Sequence, residues 1–123
     1  MRKILLVEDE PILRETYQII LSTQPYRCDV ADNGKVALEK CETQDYDLIL
    51  LDLMMPTMNG VEFLENFKKL EEMKTKIIIL SNLSSGKELE RTRELGVMRS
   101  LLKSDLSPSQ LIATIRYELD AAR

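Results

Sequence analysis

Four places in this chain of 123 residues carry side chains able to act together: Glu8-Asp9-Glu10, Asp52, Ser81 and Lys103. Each follows a short apolar run, respectively Ile4–Val7, Leu48–Leu51, Ile77–Leu80 and Leu101–Leu102. If those runs are neighbouring strands, their carboxyl ends form one rim where carboxylates, a hydroxyl and an ammonium group converge. Like charges about 4 Å apart repel by ~4 kcal/mol at an effective dielectric near 20. Such a cluster either takes up protons or recruits a cation. The chain contains no His, so the donors on offer are oxygens and a hard cation such as Mg²⁺ is the natural guest. Lys103 would neutralise part of the remaining charge. A carboxylate in that setting can attack phosphorus while cationic groups stabilise charge on the equatorial oxygens. A neighbouring hydroxyl can then donate a hydrogen bond to the new phosphoryl group.

The elements that must position these residues are legible as alternating patterns. A fifth apolar run, Cys28–Ala31, joins the four above. Three four-residue runs, Ile4–Val7, Leu48–Leu51 and Ile77–Leu80, are apolar at every position, which suits strands covered on both faces of a parallel sheet. The last is weak, because Met98-Arg99-Ser100 is a poor strand former, and it fits an edge. Between the runs lie helical periods. Leu13, Tyr17, Ile20 and Leu21 share one face, with Pro11 in the first turn. Val36, Ala37, Leu38 and Cys41 give a second helix opened by Asp32-Asn33-Gly34, and Val61, Leu64, Phe67, Lys68 and Leu70 a third. A fourth, Lys87 to Leu95, has few apolar positions and ends on Gly96, suited to a left-handed cap. The fifth opens on Ser107-Pro108-Ser109-Gln110, which predicts a capping box, with Leu111, Ile112, Ile115 and Leu119 as its buried stripe. Five βα units imply an α/β, doubly wound sheet with helices on both faces. Ligands of such sheets lie beyond the strands' carboxyl ends, near a topological switch point.

Bulk properties narrow the function further. The length suits one domain, 1–123. Seventeen basic against twenty-one acidic residues give a net charge of −4, which argues against direct nucleic-acid binding. The apolar segment after Met1-Arg2-Lys3 is too short for a signal peptide or a membrane span. The expectation is a cytoplasmic protein with no membrane partner, in which Cys28 and Cys41 are free, core-filling thiols.

The quoted pieces resemble the receiver domain of two-component response regulators, the CheY-like family, across essentially the whole chain. They are Ile4-Leu5-Leu6-Val7-Glu8-Asp9-Glu10, Asp52-Leu53-Met54-Met55-Pro56-Thr57-Met58-Asn59-Gly60, Ile77-Ile78-Ile79-Leu80-Ser81, and Glu94-Leu95-Gly96 followed by Leu101-Leu102-Lys103. The resemblance implies a flavodoxin-like (βα)5 fold with a parallel sheet in the order 2-1-3-4-5. It implies that Asp52 is the phosphoacceptor, Asp9 a direct Mg²⁺ ligand together with Asp52, and Glu8 a ligand through water. The backbone carbonyl of Met54 would complete the protein ligands. Ser81 would reach the phosphoryl oxygens and Lys103 would pair with Asp52 or the phosphoryl group. The donor would be a phosphohistidine on a histidine kinase or a phosphotransfer protein, and the readout a downstream protein target or an output domain missing from this chain. The domain would be a regulatory phosphoacceptor that assists its own phosphorylation and dephosphorylation rather than an enzyme.

Four positions depart from the family pattern. Glu8 replaces the more common Asp, lengthening one arm by a methylene. Asn82 stands after Ser81 where a small residue is usual. Ser100 stands where many receivers carry Tyr or Phe, so coupling through a moving ring is lost. Ser104 follows Lys103 where Pro, often cis, is usual; a non-proline cis bond costs ~3 kcal/mol, which predicts a trans bond or a rearranged loop. These departures motivate the alternative of a pseudo-receiver, a protein-interaction module without working phosphorylation. A haloacid-dehalogenase-type phosphatase also uses a strand-end Asp, but its second Asp would fall at position 54, which is Met. The bland readings are a solvated helix-opening loop for Glu8-Asp9, turn chemistry for Ser81 near Ser84 and Ser85, and an edge-strand Lys for Lys103. The weak apolar pattern after Ser81 predicts that this loop, the fourth helix and the last strand form the switching element.

Overall fold

The structure is a computed structural model that describes residues 1–67, 75–82 and 86–121. Five strands are described: β1 (Arg2–Val7), β2 (Tyr26–Ala31), β3 (Leu48–Asp52), β4 (Lys76–Ser81) and β5 (Arg99–Leu102). They form one parallel sheet in the order β2-β1-β3-β4-β5, as the resemblance implies. The helices are α1 (Pro11–Ser22), α2 (Gly34–Thr43), α3 (Gly60–Asn66), α4 (Lys87–Glu94) and α5 (Pro108–Ala121).

Strand residues alternate between two faces, and the core divides accordingly. Leu5, Val7, Ile49, Leu51, Ile77 and Ile79 pack with Ala37 and Cys41 of α2, Phe63 and Leu64 of α3, and Leu89 of α4. Ile4, Leu6, Leu48, Leu50, Ile78 and Leu80 pack with Tyr17 and Leu21 of α1 and with Leu111, Ile115 and Leu119 of α5. Each buried aliphatic side chain contributes ~1.5–3 kcal/mol over its exposed state. A central strand such as β3, buried at all five positions, therefore has no tolerance for a polar residue except at its end. Asp52 is that end.

Local chemistry starts most helices where the sequence predicts. Pro11 occupies the first turn of α1. The Asn33 side chain accepts the Val36 N–H at 3.0 Å to open α2. At α5 the Ser107 N–H donates to Gln110 and the Gln110 N–H donates to Ser107 Oγ, a reciprocal capping box. A second capping box, Asn59 with Glu62, opens α3 and went unread in the sequence. Gly96 takes φ +99° after α4, as its capping position requires. Lys68 and Leu70, assigned to the third helix from sequence, lie outside the described residues, as do Ser84 and Ser85.

The last strand is longer than its apolar pair suggests. Arg99 and Ser100 pair with Ile78 and Ile79 although both are exposed. Backbone pairing to a buried neighbour needs no apolar side chain at an edge, and Arg99 is anchored to Glu118 of α5 at 2.8 Å. Lys103 lies one step beyond β5, in a 3₁₀ turn over Lys103–Asp105. No cis peptide bond occurs among the described residues, so the Lys103–Ser104 bond is trans, one of the two outcomes anticipated for a non-proline residue there.

Candidate functional site

The sheet reverses its order between β1 and β3, and the acidic residues stand at that switch point. Glu8 continues the β1–β2 ladder by one hydrogen bond, its N–H donating to Ala31 O at 3.0 Å. The chain then turns through Asp9 and Glu10 into α1. Asp52 ends β3, and its register partner in β4 is Leu80, the residue before Ser81. Ser81 pairs in register with Leu102, the residue before Lys103. The rim anticipated from sequence is thus assembled by parallel register alone.

Lys103 is the pivot. Its side chain is 8% exposed, and Nζ lies 2.7 Å from Glu8 Oε1 and 3.2 Å from Asp52 Oδ1. That burial is incompatible with a solvated edge-strand lysine. Glu8 is wholly buried and Asp52 is 4% exposed. Glu8 Oε1 is partnered by the Lys103 ammonium, while Oε2 accepts the Glu10 N–H at 3.3 Å. The Met54 N–H donates to Asp52 Oδ1 at 3.4 Å, and the Met54 side chain projects into solvent. Asp9 is half-buried at the rim, and one carboxylate oxygen from each of Glu8, Asp9 and Asp52 lies within 4.8 Å of the others.

The electrostatics follow from this crowding. Burial, and after it the Glu8 charge, push the Asp52 carboxyl up to about 7, with Lys103 pulling back only in part. Burial acting alone would lower the Lys103 ammonium, but hydrogen bonding to Glu8 and the charges of Asp52 and Glu8 outweigh it and raise the group. Tyr17 of α1 shares this field: burial raises its phenol, opposed by Lys103 and assisted by Glu8 and Asp52. Lys103, the one cation among the described residues in contact with the carboxylate oxygens, faces three carboxylates, which leaves the cluster short of positive charge. Two carboxylates at ~5 Å repel by ~3 kcal/mol at an effective dielectric of 20. An all-oxygen donor set, with one carboxylate oxygen each from Glu8, Asp9 and Asp52 converging within 4.8 Å, fits a hard divalent cation.

The loop after Asp52 is held by close backbone approach. The Gly60 N–H donates to Leu53 O at 2.9 Å, and a Cβ on Gly60 would stand 2.5 Å from Asp52 O. Gly34 of α2 donates to Met58 O at 2.9 Å, and a Cβ there would meet the same oxygen at 2.7 Å. Thr57 between them takes φ +67°, unusual for a β-branched residue. Sequence reading found Asp52 and Gly60 but treated Gly34 only as a helix opener. Arg14 was missed as well: its Nη1 donates to Glu8 O at 2.9 Å and to Asp9 O at 3.3 Å. A side chain reaching back across a helix start to carbonyls leaves no motif in sequence. Of the departing positions, Asn82, Ser100 and Ser104 are all exposed, whereas Ser81 is 3% exposed at the end of β4.

Comparison with known proteins agrees with this geometry. Residues 4–116 match the response regulator receiver domain family. The transcriptional regulatory protein YdfI of Bacillus subtilis is 34% identical over 99% of this chain and 55% of its own length. The chain spans about half the length of several curated regulators that it matches. A receiver domain protein of Methanospirillum hungatei superposes with a TM-score of 0.90 at 26% identity, covering 98% of this chain and 95% of that one. The response regulator TrrA of Thermotoga maritima, solved in complex with Mg²⁺-BeF, superposes with a TM-score of 0.83 at 29% identity, covering 96% and 99%.

Proposed function

The chain belongs to the response-regulator receiver family of two-component signalling, and from that premise we propose that it is a phosphorylation-operated switch with Asp52 as acceptor. The observation that carries this reading is the approach of buried Lys103 Nζ to both Glu8 Oε1 and Asp52 Oδ1, with the Asp9 carboxylate alongside. An ionised Asp52 oxygen attacks the phosphorus of a phosphohistidine, the P–N bond breaks, and the imidazole departs. The Lys103 ammonium offsets negative charge on the transferring phosphoryl group, and the Ser81 hydroxyl donates to one of its oxygens. Asp9 and Asp52, with the Met54 carbonyl and Glu8 through water, would hold Mg²⁺, which would supply positive charge to offset that of the phosphoryl oxygens. The Mg²⁺-BeF complex of TrrA supports this metal. Burial and the Glu8 charge raise the Asp52 carboxyl to about 7, and positive charge at the site would favour its ionised, nucleophilic form.

The donor is a histidine kinase or phosphotransfer protein, and the setting is cytoplasmic; no described helix is long and apolar enough to cross a membrane. The switching element is the stretch after Ser81 through α4 and β5. Its support is thin packing: α4 buries only Leu89 and Thr92. Its Arg91 also meets Glu65 of α3 at 3.1 Å, an exposed pair worth at most ~1 kcal/mol. The output is a protein partner or an attached output domain.

Intact mass after incubation with Mg²⁺ and acetyl phosphate, beside Asp52→Asn, tests the reading. A single phosphoryl adduct on the parent and none on the variant is expected. No adduct on the parent would leave the pseudo-receiver alternative standing.

A further inference from the structure

We propose that Arg14 is the positioning residue that sets the Glu8–Asp9 turn into its cation-binding shape before any cation arrives; the proposal rests on the phosphoryl-acceptor reading above. The turn has a structural problem that Arg14 solves. The sheet ladder ends with the Glu8 N–H donating to Ala31 O, and the helical ladder of α1 begins with the Arg14 N–H donating to Glu10 O at 2.9 Å. The carbonyls of Glu8 and Asp9 fall between the two ladders, and Pro11 brings no N–H to this junction. Partly buried carbonyls require donors. The half-buried guanidinium of Arg14 donates from the same Nη1 to both, at 2.9 and 3.3 Å.

Holding two successive carbonyls fixes two peptide planes, and with them the directions in which the Glu8 and Asp9 side chains leave the backbone. Glu8 is sent inward to Lys103, 2.7 Å away, while Asp9 stays at the half-buried rim within reach of Asp52. The choice of acceptor matters. An arginine paired with these carboxylates would compete with a metal ion, whereas one bonded to their carbonyls leaves the carboxylate oxygens available.

The test is a Mg²⁺ titration of the full chain, followed by amide NMR shifts, on the parent, Arg14→Gln and Arg14→Lys. Thermal unfolding is measured alongside. Arg14→Gln should raise the Mg²⁺ Kd by about tenfold, the usual scale for groups supporting a metal ligand, and Arg14→Lys should restore part of the loss. Amide exchange at Glu10, measured with EDTA present, should quicken in Arg14→Gln, since the turn is set without metal. A purely structural arginine would lower Tm and leave Kd alone. A Kd for Arg14→Gln within twofold of the parent overturns the proposal, and if that variant fails to fold, an Arg14→Lys Kd equal to the parent's together with unchanged Glu10 exchange does so. A parent that binds no Mg²⁺ overturns the acidic-site reading and this proposal together.

Discussion

Replacing Asp52 with Asn should stabilise the metal-free protein, and by an amount that grows with pH. The Asp52 carboxyl is raised from 3.8 to about 7 by burial and by Glu8. A folded-state value above the unfolded one means that the native state holds the extra proton between these limits. The stability that this proton contributes is fully present below pH ~4 and is lost as pH rises through about 7. Keeping the carboxylate ionised in the fold at pH 8 therefore costs ~4 kcal/mol, of which we expect Asp52→Asn to recover ~2–4 kcal/mol. At pH 4.5 the same linkage leaves a gain of only roughly 1 kcal/mol. At roughly 4 °C per kcal/mol for a domain of this size, the variant should melt about 8–16 °C higher at pH 8. Urea unfolding followed by circular dichroism, in EDTA at pH 4.5, 6, 7 and 8, measures the difference directly. Mg²⁺ at pH 8 should stabilise the parent and narrow the gap. A gap that is constant across this range, or that favours the parent as pH rises, would refute the charge-crowding argument.

Three further outcomes follow from the same geometry. Lys103→Met leaves Glu8 and Asp52 buried without their shared cation, and should cost ~3–5 kcal/mol at pH 8 but much less at pH 5, where Asp52 is protonated; paired urea titrations decide it. Gly60→Ala places a methyl group 2.5 Å from Asp52 O, so the loop must shift; we expect a loss of ~1–3 kcal/mol and slower adduct formation with acetyl phosphate, read by mass. Thr57→Asn should raise stability by ~0.5–1 kcal/mol with phosphorylation intact, because asparagine tolerates φ +67° better than a β-branched side chain; differential scanning calorimetry would show a Tm shift of a few degrees.

The central strands and their chemical ends were visible in the sequence because burial on both faces leaves unbroken apolar runs. A charged or hydroxyl residue directly after such a run, as at Glu8, Asp52 and Ser81, marks where the sheet stops. Helix starts were equally plain at Asn33 and Ser107, since capping is local chemistry. β5 was read short because Arg99 and Ser100 pair by backbone alone at an exposed edge. The third helix was read too long: Phe67, assigned to it from the apolar period, is its C-cap in an extended conformation, because a buried aromatic fits the helical spacing equally well just past the helix end.

What the sequence by itself determined is therefore the set of local facts: run, cap, breaker, and the residue types gathered at the strand ends. Family resemblance turned that set into a site. Only the tertiary structure decided that Glu8 is the inner, wholly buried carboxylate facing Lys103 and Asp9 the outer one, and that Arg14 braces the turn between them. It also decided that Gly34 of α2 must lie against the loop after Asp52. These contacts join residues far apart in the chain, or fold a long side chain back on its own backbone. Their directions depend on how parallel strands fall into register and how helices seat on the sheet, and no local pattern of residue types encodes that.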